Sequence, residues 1–290
     1  MIDFTDVKAV TLGGQSVKQI ARGSDVLWKA GGPEPVGPDY LYFEAAEAGS
    51  TVSMEKVGSA PSVGLEYSTD KVVWSPFIVG STVVTLAKLG DKVYLRGNNT
   101  SFASSASKYN KFVMTGKINC GGELMSLFDK TVELRAFTAD YAAAFLFYDC
   151  TSLLSSPKLS ATSITKYCYY RLFSGCSSLA SAPESLPAAT LLQGCYSSMF
   201  RDCSALVTAP HLVAALPVNQ CYNNMFSGCS ALQEIRVALV TWQDAQYACT
   251  TTWVDNVAAE GTFYCRSTLP NTRGVDNIPT GWAKVDWSPS

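Results

Sequence analysis

The self-repetition between Cys168 and Leu232 constrains this chain more than any other feature. Cys168, Phe173, Cys176, Leu179 and Pro183 return 27 positions on as Cys195, Phe200, Cys203, Leu206 and Pro210. Cys221, Phe226, Cys229 and Leu232 follow 26 positions later, and a worn copy precedes them in Phe147, Cys150, Leu153 and Pro157. A fixed period in the twenties points to one small unit per repeat, each burying its apolar face against its neighbours. Within a repeat, Cys168, Leu172 and Cys176 stand at i, i+4 and i+8, and with Phe173 they predict one face of a short helix. Gly175 stands where a glycine commonly caps such a helix. Leu179 and Ala182 then predict a short strand, stopped by Pro183 and Pro187. The expected architecture is a solenoid whose turns each hold a short helix, a short strand and two bends.

The rest of the chain reads differently. Residues 1–30 predict a small β module: Val10 and Leu12, a Gly13-Gly14 turn, Val17 and Ile20, a Gly23-Ser24 turn, then Val26, Leu27 and Trp28. Residues 31–39 hold three Gly and three Pro in nine positions and read as a linker. From residue 40 to 118 the period is two, as in Leu41, Phe43 and Ala45 or Val93 and Leu95, with turn residues between the runs. That predicts a β-sandwich. Residues 119–237 carry the repeats. Residues 238–290 form a C-terminal cap, in which Cys249 and Trp253 resemble half a repeat with the aromatic exchanged for tryptophan.

Charge narrows the partners. Charged residues make up 16% of the chain and the net charge is −2, against roughly 25% charged in an ordinary soluble protein. No field exists to steer the chain to nucleic acid or to an anionic membrane. Between Thr165 and Leu232 the charged residues are Lys166, Arg171, Glu184, Arg201 and Asp202, a surface that suits glycans or protein faces. No apolar run approaches the ~18 residues of a membrane span, and Met1 is not followed by an export signal. The ten cysteines are expected to be reduced thiols serving as small hydrophobes in a stacked ladder. No metal site or cofactor is expected, since Cys-x-x-Cys is absent and His211 is the single histidine.

The phrases Met199-Phe200-Arg201-Asp202-Cys203-Ser204-Ala205-Leu206 and Met225-Phe226-Ser227-Gly228-Cys229-Ser230-Ala231-Leu232 resemble the leucine-rich repeats of BspA-like surface proteins, found in gut Bacteroides and their phages. Leu65 to Asp70, Gly90 to Gly97 and Thr115 to Cys120 are similar to the β-domain that often precedes such repeats. Val17 to Ile20 with Gly23 to Lys29 is similar to a short N-terminal module of phage tail and fibre proteins. The resemblance implies a multidomain α+β chain: N-terminal β module, β-sandwich, then a BspA-type leucine-rich-repeat solenoid with a cap. It implies adhesion and no catalytic residues.

The functional expectation is a non-enzymatic structural and adhesive protein, a virion component associated with a phage tail or fibre. The alternatives are a bacterial cell-surface adhesin and, further off, a carbohydrate-active enzyme. Val17, Ile20, Leu27 and Trp28 are candidates for attachment to other virion proteins or to further copies of the chain. Tyr169, Tyr196 and Tyr222 recur at one place in successive repeats, and with Tyr170 and His211 they are the candidates for contact with a host glycan or protein. The competing reading places the recurrent tyrosines in the core between repeats.

Overall fold

The computed structural model describes residues 38–242 and 248–287 in full, and before them only the backbone of residues 10–12, 15–17, 19–22 and 25–29. Two compact units divide the chain, Met1–Asp39 and Tyr40–Ser290. In the first, β1 (Val10–Leu12) pairs antiparallel with β2 (Gln15–Val17), bringing Val10 opposite Val17. Next, β3 (Gln19–Arg22) pairs with β4 (Asp25–Lys29), bringing Ile20 opposite Trp28. The side chains of Val17, Ile20, Leu27 and Trp28, the attachment candidates, lie outside the described residues.

The second unit opens with nine strands: β5 (Leu41–Ala45), β6 (Ser50–Val57), β7 (Leu65–Ser68), β8 (Ser75–Phe77), β9 (Val83–Leu86), β10 (Lys92–Gly97), β11 (Ala103–Ser105), β12 (Lys108–Thr115) and β13 (Ile118–Gly121). They form two antiparallel sheets, ordered β13-β5-β10-β7-β8 and β11-β12-β6-β9. The period-two pattern fixes which face is buried: Leu41, Phe43 and Ala45 of β5 alternate inward, as do Ser50, Val52 and Met54 of β6. Phe43 of one sheet meets Phe112 of the other with ring centroids 5.0 Å apart, so the two sheets share a core.

Beyond β13, the expected α+β class and its helix-plus-strand solenoid are both corrected. Among the described residues the one helical element is a four-residue 3₁₀ turn, Leu124–Leu127, and the sheets are separate, none of them forming a solenoid. The remaining strands are short: β14 (Ser185–Leu186) parallel to β15 (His211–Leu212), then a parallel sheet of β16 (Glu234–Arg236), β17 (Thr262–Cys265) and β18 (Ala283–Asp286). Where helices were expected, the chain makes overlapping β-turns. Tyr170, Leu172, Ser174 and Cys176 each donate a backbone N–H to the carbonyl three residues back. The residues between them, Tyr169, Arg171, Phe173 and Gly175, donate instead to Cys195, Ser197, Met199 and Arg201 of the next repeat. Alternate amides thus close turns within a repeat and cross-link neighbouring repeats, which leaves few backbone groups unpaired.

This ribbon imitates a helix in sequence because its period is four. Every fourth residue is left-handed: Tyr167, Arg171 and Gly175, then Gly194, Ser198 and Asp202, then Gln220, Asn224 and Gly228. A four-residue repeat of buried positions is close to the 3.6 of an α-helix, so the i, i+4, i+8 spacing of Cys168, Leu172 and Cys176 fits both. Gly175 has φ +79°, but it serves a turn and not a helix end. Side chains on the buried side of this ladder join the sandwich in one core: the ring centroid of Phe147 lies 6.2 Å from that of Phe43 and 5.4 Å from that of Phe112.

Candidate functional site

The recurrent tyrosines are core residues. Tyr169, Tyr196 and Tyr222 are each about 1% exposed. Their rings stack nearly parallel, 5.7 Å apart between the first two and 6.0 Å between the second and third. Phe147, Phe173, Phe200 and Phe226 form a second stack at 5.2 to 5.8 Å. Trp253 closes the end of both, 6.2 Å from Tyr222 and 6.1 Å from Phe226, with its indole N–H donated to the Asn277 carbonyl. A partner approaching from solvent does not reach the three tyrosines, so as contact residues they are corrected to packing residues. His211 lies in β15, half-buried and 5.8 Å from the Trp287 ring, away from the other candidates.

The cysteines also face inward. All ten are free and buried. Cys176, Cys203 and Cys229 donate their thiols to the carbonyls of Phe147, Phe173 and Phe200, 3.0 to 3.1 Å away, and Cys221 and Cys249 meet at 2.7 Å. Burial pushes the Cys150 and Cys195 thiols up to about 12, which keeps them protonated and unreactive at neutral pH. Among the described residues no three of His, Cys, Asp and Glu gather as metal ligands, and no helix is long and apolar enough to cross a membrane.

Tyr170, of the five candidate contact residues, lines a cleft. That cleft, of about 310 Å³, runs across four successive repeats on the outer side of the ladder. Tyr141, Tyr167 and Tyr170 form one wall. The rings of Tyr141 and Tyr167 stack at 5.0 Å, and Tyr170 stands edge-on to both. Arg171, Ser198, Arg201, Gln220 and Asn224 also line the cleft. Gly194 shapes the site: a Cβ there would strike the Tyr167 ring. Its absence lets Tyr167 lie across the repeat so that its hydroxyl meets Gln220 Oε1, two repeats on, at 3.1 Å. No carboxylate lines the cleft. Burial, then the neighbouring tyrosines, raises the Tyr141 phenol above its ordinary range, and a phenol can both donate and accept hydrogen bonds.

Sequence reasoning missed Tyr141, Arg171, Arg201, Gln220 and Asn224. A signal for some of them exists in the repeats themselves. Arg171, Ser198 and Asn224 occupy the same left-handed place in three successive repeats, so residues that vary where the frame is constant mark the outer surface.

No family model, curated protein or solved structure matches this chain.

Proposed function

We propose that the chain is a non-enzymatic binding and structural protein, a virion component associated with a phage tail or fibre, which contacts a host glycan or surface protein through the cleft between the tyrosine wall and the arginines. The observation that carries this reading is the convergence of three half-exposed tyrosines with Arg, Gln and Asn side chains on an otherwise charge-poor surface. Tyrosines offer an apolar ring face and a hydroxyl together, which suits sugars and protein loops alike. The separate N-terminal unit supports a role in attachment. The similarity of the repeat phrases to BspA-like surface proteins supports adhesion. Buried, protonated thiols favour a binding role over nucleophilic chemistry. One site would bind weakly, and many copies on one particle would multiply the effect.

The test is binding of the fluorescently labelled full chain to a glycan array and to Bacteroides cells. Binding is expected, and Tyr167→Ala combined with Tyr170→Ala is expected to reduce it at least tenfold while circular dichroism stays unchanged. Absence of binding to both, or binding indifferent to that double change, sinks the reading.

A further inference from the structure

The cleft's charge and shape specify a class of ligand. Resting on the binding role just proposed, we infer that it takes an acidic sugar, a pyranose bearing a carboxylate or a sulfate. Of the charged residues between Thr165 and Leu232, Arg171 and Arg201 both line this one cleft, and no carboxylate does. The buried Nε of each guanidinium has no hydrogen-bond partner among the described residues, whereas buried polar groups are nearly always paired. Arg201 Nε lies 3.4 Å from Asp202 Oδ2, outside hydrogen-bond geometry, and the side chains of that pair are 42% and 62% exposed, so the contact holds the guanidinium only weakly. Two guanidiniums lining one cleft whose lining holds no carboxylate form a receptor for an oxyanion, since guanidiniums bind such groups by paired, charge-assisted hydrogen bonds.

The neighbouring groups fit the rest of a sugar. The Arg171 guanidinium lies 5.4 Å from the Tyr170 ring centre, and the stacked pair of Tyr141 and Tyr167 stands beside it. A ring face near the anion site gives a pyranose a platform, and the Gln220 and Asn224 amides give its hydroxyls partners. The cleft volume is at the small end of ligand pockets, enough for one or two sugar rings and too small for a folded partner. Arg171 holds φ +52° where Ser198 and Asn224 hold the same conformation in the next two repeats.

The experiment is calorimetric titration of the full chain with a glucuronic-acid disaccharide, a sulfated disaccharide and neutral lactose, at low and at physiological salt. At least one acidic sugar is expected to bind tenfold or more tighter than lactose, more weakly as salt rises. The better of the two acidic sugars identifies the anion as carboxylate or sulfate. Arg171→Gln and Arg201→Gln are each expected to lose tenfold or more, with Arg171→Lys recovering part of the loss. If lactose binds as well as the acidic sugars and Tyr167→Ala removes it, the binding role stands and the acidic specificity is overturned. If none of the three sugars binds to the folded chain, or an acidic peptide binds better than any of them, the sugar assignment is overturned. The array and cell experiment above then judges the binding role separately.

Discussion

Glu123 shows how one residue ties the sandwich to the repeats. It is 5% exposed and caps the 3₁₀ turn, its Oε1 accepting from Met125 N at 3.3 Å and from Ser160 N at 3.4 Å. Desolvation raises its carboxyl above the ordinary range, outweighing the hydrogen bonds from Ser160 and Met125 and the charge of Arg135. A carboxyl raised on folding keeps its proton where the unfolded chain has lost it, so its contribution to stability declines as pH rises through the raised value. Glu66 and Asp129 behave oppositely. Lys130 and Arg96 hydrogen bonds lower Glu66, and backbone and Thr131 hydrogen bonds outweigh desolvation to lower Asp129, so their contributions are lost only as pH falls through values below the ordinary carboxylate range. Glu123→Gln keeps the acceptor and removes the charge. Urea denaturation from pH 5 to 8 is expected to show a declining midpoint in the native chain and a flatter, higher one in this variant. A midpoint that rises with pH equally in both proteins would contradict it.

At the scale of the element, the ladder depends on residues that accept left-handed backbone. The position before each ladder cysteine is Asp149, Gly175, Asp202 and Gly228 in successive repeats, all left-handed. The alternation has a cause: a Cβ on Gly175 would meet the Asp149 carboxylate of the preceding repeat, and one on Gly228 would meet that of Asp202. Gly228→Ala therefore combines a backbone penalty of about 1–2 kcal/mol with a collision. It is expected to lower thermal stability by more than the backbone penalty alone, and the same change at Gly80, with φ +79° and nothing within 4 Å, isolates the backbone part. Equal losses at both positions would show that the Asp202 contact does not matter.

For the whole molecule, the core runs unbroken from the sandwich through both aromatic stacks to the C-terminal cap. Phe147 begins it against Phe43 and Phe112, and Trp253 ends it against Tyr222, Phe226 and Phe263. Because adjacent repeats bury each other, loss at the terminal position exposes the next one inward. Trp253→Ala is expected to cost about 3–5 kcal/mol. Hydrogen exchange is expected to show protection lost first around Tyr222 and Phe226, while β5 and β10 of the sandwich stay protected. Uniform loss of protection across residues 40–287 would mean that the unit unfolds as one block.

The sequence by itself determined the repeat frame, the strand alternation of the sandwich and the inward placement of the cysteines, because these follow from local period and side-chain hydrophobicity. Trp253 was legible for the same reason, standing 27 positions after Phe226 in the place of the ladder aromatic. The sequence did not separate a helix from a ribbon of turns, since a four-residue period satisfies the helical face test, and only the left-handed backbone at every fourth residue tells them apart. Nor did it place the tyrosines. Tyr169 and Tyr170 are adjacent, yet the first is buried in a stack and the second opens on the cleft. The cleft was decided by tertiary structure alone: Tyr167, Arg201 and Gln220 come from three different repeats, and they meet because a missing side chain at Gly194 leaves room for one ring to cross.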